Sequence, residues 1–244
     1  MIEAFFIENT RDYIKGKFDD LQFIEDSHQY FRDGDEYTPV SNIIGRWEIP
    51  FETEIQAEKY SIRHKLNKND VLDKWKYNNL LATTTGSLVH EFGESYGWLK
   101  AGLPENITQQ CKPQYYKEKG WLIPTRNKEV AVKSFLDDVI KDNVYFVGAE
   151  FKMHSGYLDI QTKMAGTFDL LTYYDNPKGK SGFILCDYKT NKSLISDYNR
   201  KRGVTMKYPF TDMIDEPISH YTLQFSAYQL MLESIGINII GRVL

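Results

Sequence analysis

At 244 residues and net charge −4, with 41% hydrophobic, 26% charged and 14% aromatic residues, the chain has the apolar content of one large folded domain rather than a disordered one. No apolar run approaches the ~20 residues that span a bilayer, and the start, MIEAFFIENTRDYIKGKF, lacks the basic stretch and small-residue cleavage site of a secretory signal. Cys111 and Cys186 are too few and too far apart for a zinc pattern or a cysteine-ligated cluster, so a cytoplasmic protein with free thiols is the default.

Within Phe23–Val40, HQYFRD and EYTPV flank Asp33-Gly34-Asp35, and Asp-Gly is a strong hairpin signal. Thr38-Pro39-Val40-Ser41 starts a short helix through Ile44, and Phe51–Leu66 reads as a helix charged on one side. Asn69-Asp70 caps a further helix carrying Leu72, Trp75 and Leu80. Thr83-Thr84-Thr85 caps the next, Gly86–Lys100, whose Leu88, Val89, Phe92, Tyr96 and Leu99 recur at helical spacing. Ala101–Gln110 is a loop, and Asn127–Asp142 an amphipathic helix. The period then changes: Val144–Phe151 is β-like, and Gly156–Gln161 is expected to add a short strand. Met164–Tyr174 and Gly182–Tyr188 form a hairpin across a connector rich in Asn, Pro, Lys and Gly. Thr190–Glu216 is polar and irregular, Ser219–Ile235 helical, and Ile237–Leu244 a last strand. The order predicts an α/β fold, a mixed sheet with helices on its faces, divided into an N-terminal region 1–82 and a core 83–244.

The hairpin holds the chemistry. Asp169 and Asp187 sit one on each apolar strand, where an unpaired acid is costly, and Lys189, two residues after Asp187, projects from the same face of a strand. With Glu150 at the end of VGAE and His90 in the upstream helix, three carboxylates and an imidazole suit a hard divalent cation, Mg²⁺ or Mn²⁺. Such an ion lowers the pKa of water and stabilises charge on a phosphoryl oxygen, which suits phosphodiester hydrolysis with Lys189 beside it. Each residue also has a plainer reading: strand-end acids, and a histidine packed on a helix. Gln224 and Tyr228 lie one turn apart on one helix face, either as a functional pair or as ordinary amphipathic polarity. The basic stretch that includes Lys192, Arg200, Lys201 and Arg202 reads either as a DNA contact or as a solvated loop.

In order, these residues resemble the motifs of the PD-(D/E)xK nuclease superfamily, in its RecB-like exonuclease branch. His90 in GSLVHEFGE resembles the helical histidine motif, Glu150 in VGAEF the glutamate before the core hairpin, and Asp169 in AGTFD the first aspartate. Asp187-Tyr188-Lys189-Thr190 resembles the D-x-K signature, and Gln224 and Tyr228 in LQFSAY the Q-x-x-x-Y motif. The resemblance covers Gly86–Leu244; YTPVSNIIGRWEIPF adds a weaker likeness to phage-type exonucleases, and the mitochondrial genome maintenance exonuclease is similar in motif order. It implies a restriction-endonuclease-like αβββαβ core with a mixed central sheet, and an N-terminal extension that is mainly helical. It implies an Mg²⁺- or Mn²⁺-dependent DNA nuclease, an exonuclease of recombination, repair or replication working in a bacterial cytoplasm, with DNA ends and a recombination or replication protein as partners. His90, Asp169, Asp187 and the Tyr188 carbonyl are the implied ligands, Glu150 a ligand or its neighbour, Lys189 the catalytic lysine, and Gln224 and Tyr228 DNA contacts or braces. Phe168 replaces the proline of the superfamily name, no iron–sulfur cysteines are present, and the last strand stops short at Leu244. The alternatives are a silent nucleic-acid-binding or assembly protein on the same fold, and an RNA nuclease.

Overall fold

The computed structural model describes residues 4–25, 27–103, 114–116, 121–123 and 126–244. In order these form α1 (Ala4–Lys17), β1 (Gln22–Ile24), β2 (Gln29–Arg32), β3 (Asp35–Pro39), α2 (Val40–Gly45), α3 (Thr53–His64) and α4 (Lys68–Lys100). They continue as β4 (Gln114–Tyr116), β5 (Trp121–Ile123), α5 (Arg126–Val139), β6 (Val144–His154), β7 (Met164–Tyr174), β8 (Gly182–Cys186), α6 (Asp197–Arg202), α7 (Pro217–Ser234) and β9 (Ile239–Val243).

A mixed seven-stranded sheet carries the fold, with helices packed on it. The Asp33-Gly34 turn forms as expected: both residues have positive φ, 53° and 83°, the conformation a two-residue hairpin needs, and β2 pairs with β3 across it. β7 is the axis. Along one side it runs antiparallel to β6, from Val144↔Tyr174 to His154↔Ala165. The opposite edge is divided. Met164 and Ala165 pair in parallel with Thr38 and Pro39 of β3, whereas β8 takes over only from Leu170. Gly166–Asp169 therefore lie at a seam between two sets of strands. β9 returns parallel to β8 after the α7 crossover, as a parallel pair requires. The core centres on this sheet: Phe168, Leu170, Leu171, Leu185, Met231 and Leu232 are fully buried, each worth about 1.5–3 kcal/mol.

The structure corrects three expectations. The two helices expected on either side of Thr83-Thr84-Thr85 are one helix, α4, capped by the side chain of Asn67 rather than Asn69-Asp70. The Thr83 and Thr84 hydroxyls donate back to the carbonyls of Asn79 and Leu80, so they serve the helix interior rather than a new N-terminus. Gly156–Gln161 is not a strand: β6 runs on to His154, and Ser155–Tyr157 is a 3₁₀ turn held by the His154 side chain, which accepts from Gly156 N–H. Thr190–Glu216 is more ordered than its composition suggests, since Ser196 caps α6 and Thr205 bridges Ile214. Most of the expected Ala101–Gln110 loop and Cys111 lie outside the described residues.

Candidate metal centre

Four elements meet at the seam. Asp169 is on β7, level with the first residues to pair with β8. Its carboxylate Oδ2 accepts the Tyr188 N–H at 2.7 Å, tying β7 to the segment beyond β8. The imidazole of His90, from the middle of α4, brings Nδ1 to 3.3 Å from Asp169 Oδ2 and 3.9 Å from Glu150 Oε1. Glu150 lies on β6 between the pairs Ala149↔Leu170 and Phe151↔Phe168, opposite Asp169. It has φ +53°, a left-handed backbone that a glutamate adopts at a cost of about 1–3 kcal/mol. That local strain sits where the carboxylate meets Asp169 and His90.

Asp187 and Lys189 lie just past the end of β8, although the Asp187 N–H still donates to the carbonyl of Val243 on β9. Lys189 Nζ is 2.8 Å from Asp187 Oδ2 and 4.4 Å from the centre of the Tyr221 ring. Asp187 Oδ1 is buried with no hydrogen-bond partner. Gln224 Nε2 donates to the hydroxyl of Tyr228 at 2.8 Å, and the buried Tyr228 ring packs on the face of β7 at Gly166. There a Cβ on Gly166 would lie 2.6 Å from that ring, so glycine is required by close approach.

The charges fit a cation. One ligand atom each from His90, Glu150 and Asp169 lie within 4.8 Å of one another. Neighbouring ligands of an octahedral ion with 2.0–2.1 Å bonds stand about 3 Å apart, close to the 3.3 Å and 3.9 Å separations seen. Burial raises the Glu150 pKa well above the ordinary carboxylate range, and the charge on Asp169 adds to it. Asp187 is likewise pushed up, by burial and by the Asp169 carboxylate, with Lys189 opposing. Burial disfavours charge on His90, but the hydrogen bond to Asp169 and the surrounding carboxylates outweigh it, raising its pKa to about 9. Asp169 moves the other way: burial pushes it up, but His90 and Lys189 hold it below the ordinary range. An excess of acid at a half-buried site, with one oxygen of Asp187 left bare, is what a divalent ion would neutralise.

The sign of the pH dependence follows. A raised histidine pKa stabilises the fold below the unfolded value near 6.5, and this is lost as pH rises through about 9. Raised carboxyl pKa values make the fold prefer protonated Glu150 and Asp187, so stability also falls as pH climbs above their unfolded values near 4. Both act in one direction. Thermal melts in EDTA are expected to drop from about pH 6.5 to pH 9, above the range where the lowered pKa of buried His154 acts the other way, and millimolar Mn²⁺ to reverse the trend by displacing those protons. A flat melting profile in EDTA would contradict the charge arrangement.

The expected residues do not all converge. His90, Glu150, Asp169, Asp187 and Lys189 share one centre, and Tyr188 contributes its N–H there. Gln224 and Tyr228 brace it from α7. Lys192, Lys201 and Arg202 are exposed on the segment that leaves the centre. Arg200 differs from expectation: its guanidinium grips the buried Glu216, with Nε 2.9 Å and Nη2 2.7 Å from the carboxylate oxygens, so it staples α6 to the start of α7. Two further residues serve the site. Lys128 Nζ donates to the Thr190 carbonyl at 2.7 Å, and Tyr221 faces Lys189 while its hydroxyl donates to Asn191. Tyr221 was open to detection, because Tyr221, Gln224 and Tyr228 follow one helical stripe; Lys128 carried no local signal.

No protein-family model, curated protein or solved structure matches the chain.

Proposed function

We propose that the chain is a divalent-metal-dependent nuclease that hydrolyses DNA phosphodiester bonds. The observation that carries this is the convergence of His90, Glu150 and Asp169 beside the Asp187–Lys189 pair at the β7 seam. With the short α6 set aside as part of a connection, α5, β6, β7, β8, α7 and β9 follow the αβββαβ order of a restriction-endonuclease-like core, which supports the reading. A Mg²⁺ or Mn²⁺ ion held there supplies charge neutralisation at the phosphoryl group and an acidified water.

The chain's own groups do the rest. Asp169 is fixed by the Tyr188 N–H, so its free oxygen keeps a set direction. Glu150, beside His90 and Asp169, would hold the ion with them and can accept a hydrogen bond from its water. Lys189, held between Asp187 and the Tyr221 ring, offers ammonium donors to the water or to the charge that builds on phosphate oxygens.

End-labelled linear DNA and covalently closed circles, digested with Mg²⁺ or Mn²⁺ against an EDTA control, test the proposal. Degraded linear strands with intact circles identify an exonuclease. Absence of metal-dependent cleavage of any DNA sinks the proposal. The same assay weighs the Tyr221 ring. Tyr221→Leu is expected to lower the cleavage rate about tenfold, the scale of a partly desolvated cation–π contact, whereas Tyr221→Phe keeps most of it. Both variants lose the Asn191 hydrogen bond, so their difference belongs to the ring.

A further inference from the structure

We propose that the segment leaving the metal centre, from Lys192 to Tyr208, is a binding ledge for single-stranded nucleic acid. The proposal rests on the nuclease reading for its location, and on its own observations for its chemistry.

The charge is one-sided. Residues 190–209 hold five basic side chains, Lys192, Arg200, Lys201, Arg202 and Lys207, against one acid, Asp197. Of the acids that follow, Asp212 is exposed, whereas Glu216 and Asp215 are engaged. Glu216 is gripped by Arg200, and Asp215 accepts from the Ile49 N–H and pairs with His220 at 2.7 Å. Arg200 is held by Glu216 although half exposed, and Lys192, Lys201, Arg202 and Lys207 stand exposed around it.

Two aromatic rings stand among these cations. Tyr198 is 60% exposed and Tyr208 84% exposed, with no apolar cover that would explain their place. The Arg202 guanidinium lies 4.5 Å from the centre of the Tyr198 ring, so one face of that ring is occupied by a cation and its orientation is set. Duplex nucleic acid offers such a surface phosphates alone. An unpaired strand offers phosphates to the cations and base faces to the rings, and such stacking is indifferent to sequence.

The ledge is also built in advance. Ser196 caps α6, Gly203 closes it with φ +63°, and the Val204 N–H returns to the Asn199 carbonyl. The Met206 N–H donates to the Met213 carbonyl, and the Lys207 N–H to the Trp47 carbonyl at 2.7 Å, anchoring the far end to the end of α2. At its near end Asn191 is tied to Tyr221 and Thr190 to Lys128, so the ledge begins at Lys189. A strand lying on it would be led to the metal centre.

Fluorescence anisotropy in EDTA tests this on the full chain without cleavage. The probes are labelled oligothymidylate and oligouridylate of about 15 nucleotides and a hairpin duplex of mixed sequence. At least one single strand is expected to bind about tenfold tighter than the duplex, and the two arms tell DNA from RNA. Tyr198→Ala and Tyr208→Ala should each weaken single-strand binding about tenfold while leaving the duplex unchanged. Both rings are exposed, so thermal melts should match the parent. Lys201→Gln and Arg202→Gln should weaken both forms and lower the salt slope by about one each. Duplex binding as tight as single-strand binding, or tyrosine variants that bind like the parent, would overturn the ledge. Loss of cleavage with these binding results intact would sink the nuclease reading alone.

Discussion

Asp187→Asn and Asp169→Ala are each expected to reduce metal-dependent DNA hydrolysis by at least about a thousandfold, the scale of losing a charge-stabilising group at the reacting centre. They should part company in stability. Asp187 buries an oxygen with no partner next to a second carboxylate but also pairs with Lys189 at 2.8 Å, so Asp187→Asn relieves one contact and gives up the other while keeping shape. In EDTA its melting temperature is expected to stay within a few degrees of the parent, because the relieved repulsion and the lost Lys189 pair oppose each other. Asp169 accepts the Tyr188 N–H, and Asp169→Ala leaves that buried donor without an acceptor, which costs about 1–3 kcal/mol. Its melting temperature should fall. Mn²⁺ should raise the melting temperature of the parent protein and leave both variants nearly unmoved. Calorimetry with Mn²⁺, thermal melts and the cleavage assay together check this. Asp187→Asn with parental activity would remove the aspartate from the chemistry.

The second large effect comes from packing. Gly166→Val places a Cβ 2.6 Å from the Tyr228 ring and about 2.8 Å from its hydroxyl, against a side chain that is itself buried. Overpacking of this kind costs about 1–3 kcal/mol, and each kcal/mol lowers the melting temperature by about 2–4 °C in a chain of this size. The displaced Tyr228 loses its bond from Gln224, so cleavage should fall with stability. Adding Tyr228→Leu to Gly166→Val should recover a good part of the stability and little of the activity. Additive losses in the double variant would show that the two residues do not share the strain.

What could be read from the residues divides by range. Local signals held for the Asp33-Gly34 turn and for α7 with its Gln224–Tyr228 stripe, and the β7–β8 hairpin formed, but β8 ends at Cys186, so Asp187 and Lys189 lie beyond the strand expected to carry them. His90, Glu150, Asp169, Asp187 and Lys189 could be picked out as a group because acids and a lysine are conspicuous among strand residues, and the structure brings them together. What was hidden depends on distant partners. Nothing in Thr83-Thr84-Thr85 tells whether its hydroxyls face a new N-terminus or the preceding turn, since both satisfy them. Arg200 looks like its exposed neighbours until Glu216 arrives from 16 residues on. The parallel pairing of β3 with β7, and with it the seam, joins residues more than a hundred positions apart. The positive φ of Glu150 is a departure from its own propensity, which only the fold around it can enforce.

The unbroken helix α4 also has a mechanical meaning. At 1.5 Å per residue its 33 residues make a rod about 50 Å long, with His90 about 33 Å from its Lys68 end. A pivot of about 5° at His90 swings that end by about 3 Å, so a push at the α3 contact acts on the imidazole with a long arm. Because α4 is one continuous helix, such a push is carried along it past Thr83 and Thr84 toward His90. Load applied at the far tip would be felt as a turn of the His90 imidazole.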